Sequence, residues 1–304
     1  MSALHRRAPI TAPDAVGCAA VAGELSDVRR PAEQNTVSMR KTSRPPSQPP
    51  LELLNSIREK LWFYTVSLFR LDRNLPAHSG TATCLAAKGS FYLLTAGHVW
   101  KALQKSDFAV ALEAERPLIP VEREVADTKM PSRSGASEWG PDLSLIRIPD
   151  QVARKIQKAK AFYNVGLVRP KPKAPPGCVK MSLWAVLGAP DEQSIKGQQE
   201  TVHNLSLFET WTAQKRAKAG YDYYDLKFSR KRRPALPRSF RGISGSGLWE
   251  VPVLLRHART EIKWSETVRL AGVAFYEMDG PAGTTFIRCH GPKSIRDHLL
   301  ADVA

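Results

Sequence analysis

Aromatic residues are absent from the start of the sequence, and all 24 of them lie at or after Trp62. Residues 1–50 also hold seven prolines and end in RPPSQPP. Such a stretch buries too little apolar surface to offset the entropy lost on ordering, so residues 1–50 are predicted to form a disordered tail. Met39 is an alternative start, which leaves open whether residues 1–38 are translated.

Cysteine is scarce, with four residues in 304 and no CxxC pair: Cys18, Cys84, Cys178 and Cys289. This number is too low for a disulfide scaffold. No cysteine or histidine spacing resembles a zinc motif, so the sequence gives no reason to expect a structural metal.

Long hydrophobic runs are also missing. No stretch of 18 apolar residues occurs, which argues against a membrane-spanning helix. The best candidate for a signal peptide, residues 15–23, is short, rich in alanine and glycine, and flanked by Asp14 and Glu24. We therefore expect no signal peptide, no membrane partner and a cytoplasmic location.

Acidic residues are outnumbered, 29 against 45 lysines and arginines, which gives a net charge of +16. Two segments, 154–180 and 227–241, carry many basic residues and no acid. They indicate either a surface for nucleic acid or an acidic partner, or simply a solvated basic face. Their basic residues are Arg154, Lys155, Lys158, Lys160, Arg169, Lys171, Lys173 and Lys180, then Lys227, Arg230, Lys231, Arg232, Arg233, Arg238 and Arg241.

Many short β-type runs with few helices predict an all-β sandwich or barrel. A helix is expected over residues 51–60 and another over residues 292–303. Between them, residues 169–177 read RPKPKAPPG, with four prolines, and are predicted to be an extended linker between two β units.

Three short motifs carry residues with catalytic chemistry. LLTAGHV places His98 after an apolar strand, GPDLSLIRI places Asp142 at the start of another, and GISGSGLW places Ser244 in a glycine-rich bend. A serine hydroxyl is nearly inert at neutral pH unless a histidine takes its proton and a carboxylate fixes the tautomer of that histidine. The glycines allow backbone N–H groups to converge on a developing oxyanion.

These motifs resemble those of the trypsin-like, chymotrypsin-fold serine peptidases, which have His, Asp and Ser in this order. The intervals of 44 and 102 residues are close to those of that family. The resemblance implies two six-stranded antiparallel β-barrels and a C-terminal helix. The first barrel would span residues 51–168 and carry His98 and Asp142, and the second would span residues 178–304 and carry Ser244.

The resemblance also implies the roles of the site residues. Ser244 would attack the peptide carbonyl, His98 would transfer the proton, and Asp142 would orient His98. The N–H groups of Gly242 and Ser244 would form the oxyanion hole, without metal or cofactor. A protein or peptide substrate would bind beside Arg238, Tyr276 and Glu277.

The sequence departs from the family at three informative positions. Val99 and Phe240 stand where secreted members have cysteines, which agrees with a reducing compartment. Ile243 replaces the aspartate that zymogen-type members use to bind a newly formed N-terminus. Activation by cleavage at a defined N-terminus is therefore not expected.

Two alternatives remain. An α/β-hydrolase elbow requires G-x-S-x-G, but Ser246 stands at the fifth position, and only 60 residues follow Ser244 to supply an aspartate and a histidine such as Asp279 and His290. The other alternative is a catalytically silent, peptidase-like module that binds nucleic acid or an acidic partner through the two basic segments.

Overall fold

The computed structural model arranges most strands of the chain in two large sheets. It describes residues 35–38, 48–71, 76–112, 117–122, 127–131, 137–167, 174–176, 178–196, 201–256, 261–264 and 267–301. All of these residues belong to one compact unit, Glu33–Ala304.

The first sheet has eight strands and holds the His98 and Asp142 motifs. Its strands are β2 Thr65–Leu71, β3 Pro76–Ala87, β4 Ser90–Thr95, β5 Phe108–Ala111, β6 Ile119–Val121, β7 Asp127–Lys129, β8 Ser144–Ile148 and β9 Tyr163–Asn164. Their order in the sheet is β6-β5-β2-β3-β4-β8-β7, all antiparallel, and β9 is added parallel to β3.

The second sheet has nine antiparallel strands and holds the Ser244 motif at the start of one of them. A separate pair, β11 Ile195–Lys196 and β12 Thr201–Val202, lies outside both sheets. The strands of the second sheet are β1 Asn35–Ser38, β10 Cys178–Gly188, β13 Ser206–Thr210, β14 Ala213–Lys218, β15 Tyr221–Ser229, β16 Gly247–Arg256, β17 Glu261–Trp264, β18 Arg269–Gly280 and β19 Thr284–His290.

Helices are few and short. The α-helices are α1 Leu51–Tyr64, α2 Gly97–Leu103, α3 Asp150–Gln157 and α4 Pro292–Ile295. Helix α4 continues as a π-helical turn, Arg296–Leu300, which agrees with the expected C-terminal helix. Within the described ranges, no helix is long and apolar enough to span a membrane.

Aromatic side chains join the two sheets in one core. Trp249 of β16 is fully buried and stacks on Tyr64 of α1, with ring centroids 5.3 Å apart. The same indole meets Tyr163 of β9 edge to face at 5.2 Å. Buried aromatic pairs of this kind contribute about 0.5–1.5 kcal/mol beyond their area, and here they hold the serine-bearing strand against the first sheet.

The prediction of a mostly β chain with two antiparallel units is confirmed by this topology. The domain boundaries stay predictions. Of the predicted linker, only residues 174–176 are described, and of the predicted tail only β1, which pairs with β17, and residues 48–50. The remainder of both segments lies outside the described residues.

Candidate active site

His98 and Asp142 are brought together by the pairing of two neighbouring strands. Strand β4 ends at Thr95, and β8 begins at Ser144, which is its partner in the antiparallel register. The residues just beyond the end of β4 therefore lie beside those just before β8. This places His98, in the first turn of α2, next to Asp142 although 44 residues separate them.

The Asp142 carboxylate holds His98 at two points. Its Oδ2 lies 2.6 Å from His98 Nδ1, and its Oδ1 accepts the His98 backbone N–H at 2.7 Å. Asp142 is fully buried, whereas the imidazole of His98 is 31% exposed. The ring is thus fixed by a buried carboxylate while its other nitrogen remains accessible to a reacting group.

The chain leading to Asp142 is held in place by Tyr223 of β15. The Tyr223 hydroxyl donates to the Gly140 carbonyl at 2.9 Å and lies 3.1 Å from the Trp139 carbonyl. Its ring is fully buried. Burial raises the pKa of Tyr223 to about 12, so its hydroxyl keeps its proton and can donate at any physiological pH.

A buried ion pair fixes the same segment from the other side. Arg288 of β19 forms a bidentate pair with Asp225 at 2.7 and 2.9 Å. Its guanidinium lies 3.7 Å from the centroid of the Trp139 ring and donates to the Glu138 carbonyl at 3.0 Å. The second sheet therefore fixes the loop that carries the candidate aspartate of the first.

His290 is a partner of Asp142 that the sequence did not single out for this site. The backbone N–H of Asp142 donates to His290 Nε2 at 3.0 Å. The His290 ring is fully buried and stacks on Phe275, with centroids 4.3 Å apart. Because Nε2 accepts a hydrogen bond, the proton of the neutral ring is on Nδ1, which has no partner among the described residues.

Burial is the main cause that lowers the pKa of His290 to about 3; nearby Asp142 raises it, and His298 lowers it further. An unfolded histidine titrates near 6.5. The contribution of His290 to the free energy of unfolding is therefore expected to be complete above pH 6.5 and to be lost as the pH falls toward about 3. Within that window the free energy of unfolding should fall by about 1.4 kcal/mol per pH unit.

Replacing His290 by glutamine and measuring the free energy of unfolding from pH 7.5 to pH 4 tests this titration. The variant should be less stable at pH 7.5, and the difference from the natural chain should shrink as the pH falls. Curves that stay parallel over this range would show that His290 does not titrate as inferred.

The loop around Ser244 is bound to the first sheet through its carbonyl groups. Thr81 of β3 donates its backbone N–H to the Ser244 carbonyl at 2.9 Å and its hydroxyl to the Gly242 carbonyl at 3.0 Å. On the other side, Gly245 N–H donates to the Ala274 carbonyl of β18 at 2.8 Å. The loop is thus fixed to both sheets at once.

Two backbone N–H groups of this loop are available for a ligand. Within the described part of the chain, neither Gly242 N–H nor Ser244 N–H has a hydrogen-bond partner. The Arg241 carbonyl accepts from Asp191 N–H at 2.8 Å. The Arg241 carbonyl and the Gly242 N–H belong to the same trans peptide group, in which the two point in opposite directions. The Gly242 N–H therefore faces away from Asp191.

The segment that carries Ser244 and the segment that carries His98 both approach Gly80. Gly80 lies between their segments, since a Cβ added to it would lie 2.8 Å from Val99 Cγ2 and 2.9 Å from the Ser244 carbonyl oxygen. Across the described residues the Ser244 hydroxyl has no hydrogen-bond partner. Catalytic contacts of this type are often loose without substrate and tighten when it binds.

Ile243 is ordered by apolar packing. It is 3% exposed and lies in a cluster with Val186, Phe240, Leu248 and Ala274. A branched aliphatic side chain at this position supplies no acceptor for an N-terminal amine, but it anchors the bend between Gly242 and Ser244 inside the second sheet.

Of the three candidate substrate-contact residues, Arg238 and Glu277 lie at the loop that precedes Ser244, whereas Tyr276 packs against a hydrophobic cluster formed mainly by the first sheet. Glu277 Oε2 accepts from the Ser239 hydroxyl and from Phe240 N–H, each at 2.9 Å. Arg238 is exposed and Tyr276 is half-buried. The carboxylate of Glu277 is therefore engaged in shaping the loop that precedes Ser244.

Only some of the basic residues in the two basic segments are exposed on the surface. Arg154, Lys155 and Lys158 are exposed, but Lys160 is 4% exposed. Its ammonium lies 3.3 Å from the centroid of the Trp62 ring and donates to the Trp62 carbonyl. Including Lys160 in a binding surface was therefore wrong, because cation–π and hydrogen-bond contacts compensate its burial.

In the second basic segment, two arginines are bound to acids and to backbone. Arg233 pairs with Glu209 at 2.6 Å, and Arg230 donates to the carbonyls of Pro237 and Arg238. The exposed members are Lys227, Lys231, Arg232, Arg238 and Arg241. Arg169, Lys171 and Lys173 of the first segment lie outside the described residues.

Three side chains of the types that can bind a metal ion lie close together, and one of them contacts the segment that leads to Ser244. Among the described residues, His78, Asp191 and His203 form a set whose potential ligand atoms all lie within 4.8 Å of one another. A hydrogen bond from His78 is the main cause that lowers the pKa of Asp191. Burial is the main cause that lowers the pKa of His203 to about 4.

No family model and no curated protein matches the sequence. Among solved structures, the chain is similar to the active form of the Rv3671c protease from M. tuberculosis, with 13% identity, a TM-score of 0.39, and coverage of 88% of this chain and 95% of that one. It is also similar to AL20, a thermostable serine protease from an extremophilic microorganism, with 12% identity, a TM-score of 0.40, and coverage of 79% and 96%.

A third similar structure concerns the coupled folding and binding of the intrinsically disordered Sesbania mosaic virus VPg protein. It shares 14% identity and a TM-score of 0.38 over 78% of this chain and 96% of that one. Similarities this low carry no information about the reaction or substrate of the present chain.

Proposed function

We propose that this chain is a serine endopeptidase of the trypsin-like type, which hydrolyses peptide bonds through an acyl-enzyme. The observation that carries the proposal is the double contact of buried Asp142 with His98, at 2.6 Å to Nδ1 and 2.7 Å to the backbone N–H. A carboxylate that accepts the Nδ1 proton leaves Nε2 with a lone pair, as a general base requires.

The proposed reaction uses this lone pair first. Ser244 Oγ attacks the peptide carbonyl while its proton moves to His98 Nε2. The resulting imidazolium, stabilised by Asp142, then gives that proton to the leaving amine as the C–N bond breaks. Water repeats the sequence on the acyl ester, which releases the acid and restores the serine.

The oxyanion of the tetrahedral intermediate would bind the N–H groups of Gly242 and Ser244. Three features support this role: both groups lack intramolecular partners among the described residues, the Arg241 carbonyl is bound to Asp191 N–H, and Thr81 anchors the carbonyls on the other side. Donors fixed before the reaction cost no reorganisation when charge develops.

The substrate side chain before the cleaved bond is proposed to be uncharged. The one acid predicted at the pocket, Glu277, already accepts two hydrogen bonds and has Arg230 at 3.9 Å. Its charge is therefore partly compensated inside the protein. A cytoplasmic location remains part of the proposal, and the free thiols of Cys84 and Cys289 are consistent with it.

Labelling with a fluorophosphonate probe tests the proposal, because the probe reacts only with an activated serine. We expect one label per chain, located on Ser244 by peptide mapping and lost in Ser244→Ala and His98→Ala. Ser246→Ala is the matched control, since this neighbouring serine is fully buried and should leave labelling intact.

Failure of the natural chain to react would contradict the peptidase proposal and favour the silent binding module. Labelling that persists in Ser244→Ala would equally exclude Ser244 as the nucleophile. Circular dichroism of each variant separates loss of reactivity from loss of fold.

A further inference from the structure

Three side chains from distant parts of the chain converge, and one of them contacts the segment that leads to Ser244. His78 lies on β3, Asp191 begins the 3₁₀ turn Asp191–Gln193 that follows β10, and His203 precedes β13. Each offers one ligand atom, and these atoms lie within 4.8 Å of one another. Two imidazoles and one carboxylate are the donor set that zinc and similar divalent transition metals prefer.

The hydrogen bonds around the two histidines suit metal ligation. His203 Nδ1 lies 2.7 Å from the Ser194 hydroxyl, and among the described residues its Nε2 has no hydrogen-bond partner. A ligating histidine is typically oriented in this way, with one nitrogen held by a neighbour and the other directed to the ion.

His78 adds a buried group that protein contacts do not satisfy. Its side chain is 4% exposed, and its Nδ1 lies 2.9 Å from Asp191 Oδ1. Its Nε2 is buried without a hydrogen-bond partner in the described part of the chain. A buried polar atom without a partner is costly, so such atoms usually indicate an unseen ligand or a functional role.

The backbone around His78 is shaped to direct this side chain. A β-bulge interrupts the pairing of β2 with β3, so that Leu68 pairs with Gly80 and Phe69 with His78. Bulges turn side chains out of the regular alternation, and they often occur next to functional sites. The His78 ring stacks on His203, with centroids 4.2 Å apart and planes 26° from parallel. Because the lone pair of an imidazole nitrogen lies in the ring plane, one of the two rings has to rotate for both nitrogens to bind the same ion.

We propose that His78, Asp191 and His203 bind a divalent transition-metal ion with the ligand preferences of zinc, at a site separate from the candidate catalytic residues. Three protein ligands leave room for water as a fourth ligand. The site lies beyond the proposed function, since peptide hydrolysis by Ser244 requires no metal.

The proposed ion would stabilise the loop around Ser244, because one of its ligands, Asp191, contacts that loop directly. Asp191 N–H donates to the Arg241 carbonyl, and Arg241 Nε lies 3.4 Å from Asp191 Oδ2. A Cβ added to Gly242 would lie only 2.6 Å from Asp191 Oδ1. An ion that fixes the Asp191 turn therefore fixes the support of Gly242.

Titration of the chelator-treated full chain with Co²⁺ tests the site without any assay of activity. We expect one ion per chain with the visible absorption of four- or five-coordinate Co²⁺, displacement by Zn²⁺, and a rise in Tm with either ion. His203→Gln and Asp191→Asn should each weaken metal binding by at least about 100-fold. Removing a residue that only hydrogen-bonds to a ligand already lowers metal affinity by about 10–100-fold, and a ligand itself should matter more.

His98→Ala is the matched control, because it removes a histidine from the other carboxylate–imidazole pair and should leave binding unchanged. The proposal is wrong if the natural chain binds no Co²⁺, or if binding is lost in His98→Ala and kept in His203→Gln. Binding that survives both ligand variants, with folding verified by circular dichroism, would also place the ion elsewhere. None of these outcomes depends on whether Ser244 is reactive.

Discussion

Replacing Asp142 by asparagine is expected to lower peptidase turnover by about 10⁴-fold, the effect that this change has in the Ser-His-Asp template. Asparagine can still accept the His98 backbone N–H through its oxygen, in the place of Oδ1. Its NH₂ group would then face His98 Nδ1, which must accept instead of donate. The ring proton moves to Nε2, and His98 can no longer take the proton of Ser244.

The rate of fluorophosphonate labelling measures this loss directly, together with turnover once a substrate is known. Asp150→Asn is the matched control, since Asp150 is exposed in the first turn of α3 and should leave the rate unchanged. An Asp142→Asn variant that keeps its fold and retains more than about a tenth of the rate would remove Asp142 from the mechanism.

The residues of the candidate triad could be predicted from the sequence because each stands in a local motif. His98 follows an apolar strand, Asp142 precedes an alternating one, and Ser244 lies among glycines. The motifs alone do not indicate which of these residues meet. The pairing of β4 with β8 brings His98 and Asp142 together although they are 44 positions apart.

Other parts of the site left no local signal. His290 contacts Asp142 across 148 positions, and His78 contacts Asp191 across 113. Each histidine stands in an ordinary strand sequence, so only the register of the sheets determines which residues it meets. The sheets, and not the sequence spacing, also decide that Lys160 is buried over Trp62.

Strand β14 leaves no signal in the sequence for a different reason. Its sequence AQKRAK has no apolar alternation, and nearly all of it is exposed. It forms because its backbone pairs with β15 at the edge of the second sheet. Charged side chains on an edge strand oppose pairing with other chains. The charged, exposed sequence that makes β14 hard to predict therefore also protects the edge of the sheet.

Replacing Gly245 by alanine is expected to destabilise the fold by roughly 3–5 kcal/mol and to abolish labelling of Ser244. Gly245 has a φ of +92°, and a Cβ there would lie 1.9 Å from the Thr81 carbonyl oxygen and 2.1 Å from Thr95 Oγ1. The first contact is with backbone, which cannot rotate away as a side chain can. Relief requires separating the Ser244 loop from β3, and this separation removes the support of the oxyanion donors. Chemical unfolding and probe labelling measure the two effects.

Gly89→Ala separates the steric effect from the conformational one. Gly89 also has a positive φ, +75°, but no atom lies within 4 Å of the position of its Cβ. Alanine there should cost about 1–2 kcal/mol through backbone strain alone and leave Ser244 reactive. If both substitutions cost the same and both leave labelling intact, the close contact of Gly245 with Thr81 does not hold the Ser244 loop in place. In that case the apolar packing of Ile243 would have to order the loop by itself.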